Sequence, residues 1–368
     1  MRVIHVAGAR PNFMKIAPLM EAVVHYNREH TQRPMEQFLV HTGQHYDEPM
    51  SKLFFDELGI SKPDVNLEVG SASHARQTAE IMKRFEPVVE QWRPDVVSVV
   101  GDVNSTAACA MTAAKMGIRT AHVEAGLRSH DREMPEEINR LVTDALSDFL
   151  FATSRGACEN LRREGIPDEK IFFVGNTMID TLMRHRELAR RPAFLDGRSM
   201  GQFAVVTLHR PSNVDQPRVF EEILDAFEEL GKRIPIIFSV HPRTRDMAEK
   251  FGLLERMERQ ENLTLTDPLG YLEFLYLLAH ASFAMTDSGG IQEETTALGI
   301  PCLTIRENTE RPETVKEGTN VLVGANHARI VREGEAILEG RGKRGRIPEK
   351  WDGRAAQRIV RVLAELAD

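Results

Sequence analysis

Three carboxylates stand where proton transfer could be staged. Asp102 follows the apolar run 96–100, Glu124 sits in His122-Val123-Glu124-Ala125-Gly126-Leu127-Arg128, and Glu136 follows Pro135 in Pro135-Glu136-Glu137-Ile138-Asn139-Arg140. Positioned carboxylates act as general acids and bases, and a doubly wound sheet gathers its reacting groups at the carboxyl ends of its strands. Each also has a plainer use. Asp102 fits more readily as the cap of a following helix, and a glutamate behind Pro135 suits the positive end of a helix dipole. Glu124 has no such use: ending an apolar strand, it must be paired, functional or solvated, with Arg128 a candidate structural partner.

A second set of residues is suited to an anion. His209-Arg210-Pro211 and His241-Pro242-Arg243 end two successive predicted strands and make a basic wall in an acidic chain. His209 could carry a proton near neutral pH or donate to a phosphate oxygen. In Thr286-Asp287-Ser288-Gly289-Gly290-Ile291-Gln292-Glu293-Glu294 a strand passes into a helix through two glycines. A ligand can approach such a backbone, and the first helical amides of Ser288, Gly289 and Gly290 are free to hold a diphosphate. Glu294, a turn further in, could accept both hydroxyls of a ribose. The alternative is a plain Gly-Gly turn with Glu293 and Glu294 as dipole partners. Gly8-Ala9-Arg10-Pro11-Asn12-Phe13-Met14-Lys15 supplies Arg10 and Lys15 for an anion, or for a neighbouring carboxylate, and Glu310-Arg311-Pro312-Glu313 adds another cation. GxGxxG, a Walker loop and HExxH are all absent, so neither a dinucleotide cofactor nor a metal is expected.

These groups need strand ends to hold them. Short β-branched runs at 3–7, 37–41, 95–100, 120–124, 149–153 and 171–174 alternate with helical patterns, the signature of a parallel sheet. The pattern lapses over 184–200 and restarts with runs at 203–208, 234–240, 263–266, 283–286 and 302–305. At 368 residues the chain exceeds one ordinary core, and two α/β halves facing a central cleft follow. Near the end, Ala356, Ile359, Val360, Leu363 and Leu366 form one helical stripe that must pack somewhere.

Composition narrows the partners. With 47 Lys and Arg against 55 Asp and Glu the net charge is −8, which argues against nucleic acid and anionic lipid and requires a local basic pocket for an anionic substrate. Cys109, Cys158 and Cys302 are odd in number and widely spaced, as in a reducing cytoplasm, and no membrane span or signal-peptide pattern is present.

Taken in order, the G-x-RP-x-x-x-K loop, GD-x-x-[ST]-T, HVEAGLR, PEE-x-NR, the strand-end HR, TDSGG-x-QEE and ERPE resemble the non-hydrolysing UDP-N-acetylglucosamine 2-epimerase family from Val3 to about Gly324. The resemblance implies two Rossmann-like doubly wound domains of glycosyltransferase-B type: residues 1–176 with a returning helix at 355–368, and a UDP-binding domain at 177–354. It further implies a cofactor-free reaction in which UDP leaves by anti elimination. A 2-acetamidoglucal forms, and UDP adds back after the C2 proton returns on the opposite face. On that likeness Asp102, Glu124 and Glu136 are the acid–base candidates and His209 a catalytic or diphosphate-contacting group. Arg10, Lys15, Ser288, Gly289, Gly290, Glu294 and Arg311 match nucleotide-sugar contacts, and Phe274 an aromatic near the base. Closure on UDP and a homodimer are expected.

Two departures qualify the likeness. Leu269 follows Asp267-Pro268 where many members carry Gln, so uracil would be read there by backbone or not at all. The loop Gln44-His45-Tyr46-Asp47-Glu48-Pro49-Met50 places acids where an activator site usually has a cation, which argues against activation by substrate. The GARP and QHYD segments also resemble the branch that acts on diacetamido-uronic acid sugars. A glycosyltransferase-B transferase, a hydrolysing epimerase and a catalytically inactive sugar-nucleotide sensor are the rival readings; the three carboxylates argue against the last.

Overall fold

The computed structural model describes residues 1–43, 59, 62–197 and 201–365, so the 44–50 loop falls outside the described residues. The chain divides into two units, Met1–Arg184 with Glu349–Asp368, and His185–Pro348. Each is a parallel sheet clothed in helices, a Rossmann-like doubly wound domain.

In the first unit the strands β1 (Arg2–Ala7), β2 (Glu36–His41), β3 (Val65–Asn66), β4 (Val96–Val100), β5 (Arg119–Ala125), β6 (Phe149–Ala152) and β7 (Ile171–Phe173) lie in the order β3-β2-β1-β4-β5-β6-β7. The apolar side chains of β1, β4, β5 and β6 are buried on both faces, as a parallel sheet between helix layers demands. The order reverses between β1 and β4, whose register pairs Val3 with Val96 and Val6 with Val99. This opens a crevice at the two strand ends.

The second unit repeats the plan with β8 (Ala204–Thr207), β9 (Ile236–Ser239), β10 (Leu263–Thr266), β11 (Phe283–Thr286), β12 (Cys302–Thr304) and β13 (Asn320–Leu322), ordered β10-β9-β8-β11-β12-β13. Its reversal lies between β8 and β11. The core around Phe220, Phe227, Phe238 and Phe283 is fully buried. β3 and β13 have no counterpart among the predicted strands: two and three residues at sheet edges give no period to read.

The helix Ala355–Glu365 belongs to the first unit and buries Ala355, Ala356, Ile359, Val360 and Leu363. Asp180 accepts the amides of Ala355 and Ala356 at 3.0 and 2.6 Å and so caps its start. Among the described residues no helix is long and apolar enough to cross a membrane.

Candidate active site

In the first unit the reversal point gathers β1, β4 and β5. Asn12, in the first turn of the helix Arg10–Glu29, accepts the amides of Gly8 and Ala9 at 3.0 and 2.9 Å and donates to the Val100 carbonyl at 3.1 Å. That brace ties the loop after β1 to the end of β4. One turn on, Lys15 is buried and ion-paired with Glu124, which is buried too. Arg10 opens the same helix, but its side chain lies outside what the structure describes.

Glu124 is held in an unusual backbone state. Its φ is +77°, the left-handed region, and the β5–β6 register shifts between Val123 and Ala125. A non-glycine residue there stores roughly 1–3 kcal/mol of strain, a cost tolerated where surrounding contacts over-determine it. Gly101, at φ +70°, leaves the space beside this pair: a Cβ there would sit 3.3 Å from Lys15 Nζ and 3.6 Å from Glu124 Oε2.

Asp102 is partly exposed and ion-paired with the buried guanidinium of Arg140. It does not cap the next helix, whose N-cap is Val103, because its carboxylate is drawn to Arg140 instead. Nor is Arg128 the partner of Glu124. It pairs with Asp144 at 2.7 Å and with Glu164, leaving Lys15 to neutralise Glu124. Glu136 is half-buried in the first turn of the helix Pro135–Leu146, and no ion pair of it is found among the described residues.

That helix is inverted with respect to the usual pattern. It buries Glu137, Arg140, Thr143 and Asp144 and exposes Ile138 and Leu146. Glu137 accepts the amides of Ser129 and His130, both at 3.0 Å, and two contacts from Arg140. Burial alone would raise its pKa, but these donors bring it below the ordinary carboxylate value. Sequence reasoning missed Glu137, Arg140 and Asp144; the signal was charged residues recurring at three- and four-residue spacing.

In the second unit β8 and β11 end side by side. Asp287, fully buried, accepts the amides of His209 and Arg210 at 3.1 and 2.9 Å and the Asn213 amide group at 3.0 Å. Its other oxygen lies 3.0 Å from His209 Nδ1. Burial works to raise the Asp287 pKa, but His209 and the amides outweigh it and hold it below the ordinary value. His209 itself is substantially exposed, so the ring is anchored at one nitrogen and open at the other.

Ser288 is the N-cap of the helix Gly289–Leu298, and no side chain caps that end. The Ser288 amide is taken by Thr286 Oγ1 at 3.0 Å, so the anion cradle expected here falls to the amides of Gly289 and Gly290. Gly289 leaves room for Arg311: a Cβ would fall 2.6 Å from its guanidinium nitrogen and displace that side chain. Arg311 is buried and pairs with Glu293 at 2.7 Å and with Glu310. Glu310 also holds Arg306 at 2.7 Å and lies 3.8 Å from Arg210. Burial would raise the pKa of Glu310, yet the arginines around it depress it strongly. Three guanidiniums, those of Arg210, Arg306 and Arg311, thus crowd around Glu310 in the second unit. By contrast Arg243 is spent on Asp215, so the His-Pro-Arg segment adds less positive charge than expected.

Glu294 is buried and accepts from the Tyr271 hydroxyl at 3.1 Å; burial pushes its pKa up to about 7 against the pull of that hydrogen bond. Phe274 packs with Leu277, Leu278 and Cys302 as part of the apolar core. Leu269 packs against the same cluster around Leu277.

Comparison with known proteins places the chain in a family. A family model described as UDP-N-acetylglucosamine 2-epimerase matches residues 28–364. The chain is 43% identical over 375 residues to a UDP-N-acetylglucosamine 2-epimerase homolog of Methanococcus maripaludis, covering all of both chains. It is 39% identical over 369 residues to the UDP-2,3-diacetamido-2,3-dideoxy-D-glucuronate 2-epimerase of Pseudomonas aeruginosa, covering all of this chain and all of that one. Among solved structures, the Methanocaldococcus jannaschii UDP-GlcNAc 2-epimerase in complex with UDP-GlcNAc and UDP superposes with a TM-score of 0.89 at 39% identity, covering 99% of this chain and 100% of that one.

Proposed function

The chain belongs to the UDP-N-acetylglucosamine 2-epimerase family, and from that premise we propose that it interconverts UDP-N-acetylglucosamine and UDP-N-acetylmannosamine by inverting C2. The observation that carries this reading is Glu124: a buried carboxylate on a strained strand end, charge-matched by buried Lys15.

The reaction needs one group to take a weakly acidic C2 proton and another to deliver a proton to the opposite face. Glu124, Asp102 and Glu136 are the candidates for those roles. As the C2–H bond breaks, its electron pair forms the C1–C2 double bond of the glucal, and the C1–O bond breaks with its pair leaving on UDP. Return of a proton to the other face of C2 lets the diphosphate oxygen rebond to C1, so atoms and charge balance without a redox step.

The second unit supplies the leaving-group side. The amides of Gly289 and Gly290, at the helix start where Ser288 is the N-cap residue, and the guanidinium of Arg210 stabilise the departing diphosphate. His209, fixed through Nδ1 by Asp287, presents Nε2 as a proton carrier or as a donor to a phosphate oxygen. Glu294 accepts the ribose hydroxyls. Arg311 acts from beneath Gly289.

The Pseudomonas aeruginosa relative favours a second reading, the same chemistry on a UDP-diacetamido-glucuronate. Incubation of purified protein with each sugar nucleotide in heavy water, followed at C2 by NMR, separates the alternatives. Deuterium at C2 of UDP-linked N-acetylmannosamine supports the proposal. Exchange only with the diacetamido-uronate supports the second reading, free N-acetylmannosamine with UDP identifies a hydrolysing enzyme, and turnover only with an acceptor identifies a transferase.

A further inference from the structure

The strain at Glu124 must be held by something, and one carboxylate grips the chain on both sides of it. Asp144, on the inverted helix Pro135–Leu146, is fully buried. One of its oxygens lies 2.6 Å from His122 Nδ1, two residues before Glu124; the other accepts the amide of Gly126 at 3.1 Å, two residues after. The grip continues on both flanks. His122 Nε2 lies 2.8 Å from the carbonyl oxygen of Gly101, the glycine that leaves room for Lys15 and Glu124. The ring thus bridges β5 to the end of β4. On the far side Arg128 pairs with Asp144 at 2.7 Å. Gly126, at φ +80°, lies so close to the following helix that a Cβ would meet the Ala157 carbonyl at 2.4 Å.

We propose that Asp144, acting through His122 and Gly126, is a positioning residue that clamps the strand end in its left-handed turn and thereby aims Glu124 at the substrate. The clasp spans the bulge, so losing it lets residues 123–125 relax toward ordinary extended pairing. Relaxation would swing the Glu124 carboxylate toward the other face of the sheet, since side-chain direction alternates along a strand. A misplacement of about 1 Å at a reacting group can cost on the order of a hundredfold in rate.

The inference rests on the catalytic role proposed for Glu124, and the test separates the two. Asp144→Asn keeps shape and one acceptor but loses the charge and the second acceptor. Turnover per UDP-binding site, with sites counted by UDP titration, is expected to fall about a hundredfold while the UDP Kd stays within about twofold. Turnover unchanged per site overturns the proposal. The second arm measures thermal unfolding, with Asp144→Asn introduced into the native chain and into a Glu124→Gly background, where glycine adopts φ +77° without strain. The clasp predicts a Tm drop in the glycine background less than half that in the native one, because there is no strain left to hold. Folding of Asp144→Asn in the glycine background alone supports it as well. Equal drops, or failure of both to fold, assign Asp144 to general packing and overturn the proposal. Should Glu124→Gln retain full activity, the catalytic reading of Glu124 falls while the unfolding comparison still decides whether the clasp exists.

Discussion

His209 Nδ1 lies 3.0 Å from Asp287, a carboxylate with no exposed surface that also takes the amides of His209 and Arg210. Since a carboxylate only accepts, Nδ1 carries the proton and the tautomer of the neutral ring is fixed, with Nε2 left as the working nitrogen.

Asp287→Asn tests that arrangement. Its carboxamide oxygen can still take one of the backbone amides, but the NH₂ group offers no acceptor to Nδ1, and the ring is free to turn or change tautomer. Turnover should fall about 10²- to 10⁴-fold, the usual worth of a positioned acid or base. Nitrogen-15 NMR of His209 should show the neutral ring losing its single protonated Nδ1; an unaltered ring spectrum with normal turnover would remove Asp287 from the mechanism.

The Lys15–Glu124 pair makes a different prediction for each partner. Glu124→Gln should cost at least about a hundredfold in turnover with UDP affinity retained, because nothing in the diphosphate cradle depends on it. Lys15→Met removes the ammonium that charge-matches a buried carboxylate and should destabilise the first unit by about 3–5 kcal/mol. Combining the two changes should recover most of that loss, which denaturant unfolding of the three variants would reveal.

Glu294 couples nucleotide binding to pH. Burial raises its pKa to about 7, so below that value the free protein holds it mostly protonated. A ribose whose two hydroxyls donate to the carboxylate binds the ionised form. Affinity for uridine, which has no titrating phosphate, should therefore rise by about tenfold per pH unit up to about 7 and then level off. Calorimetric titration with Glu294→Gln should give a pH-independent affinity; a slope that survives the change would exclude Glu294 as its source.

How much of this could be read from the residues themselves depended on whether a signal was local. Strand ends at Asp102, Glu124, His209 and Asp287 follow from apolar runs broken by glycine or a charge, and the sheet orders place Asp102, His209 and Asp287 beside the reversal points and Glu124 one strand away. Pairing was not local. Asp102 looked like a cap because Arg140, 38 positions away, is brought to it only by folding. Arg128 looked like the partner of Glu124 because it is near in sequence, whereas Lys15 reaches it from 109 positions away. Phe274 carries a helix-face signal, and its core packing does not distinguish a wall of the base site from plain core. The inward-facing charges of residues 137, 140 and 144 were legible as a period, but a polar stripe on a helix ordinarily faces solvent.

Glu313 offers a last test, in which stability is the readout. It opens the helix Pro312–Lys316 and is buried, and desolvation, helped by Glu293, lifts its pKa from 4.5 to about 7. The folded chain thus keeps a proton that the unfolded chain releases near the ordinary value. Between those two values the native state binds more protons than the unfolded state, so stability declines as pH rises through the window and the loss is complete above about 7. Glu294 adds in the same sense, because its pKa is raised to a similar value. Glu310 opposes in sign at lower pH, since its pKa is depressed and its contribution is lost on acidification. Replacing Glu313 by Gln removes one titration while keeping the shape. Relative to the native chain, Glu313→Gln should therefore gain about 1–3 kcal/mol on passing from pH 5 to pH 8. Urea unfolding at the two pH values gives that difference directly. A gap between variant and native chain that is the same at both would mean that Glu313 is ionised throughout, held by Arg311 instead of neutralised by burial.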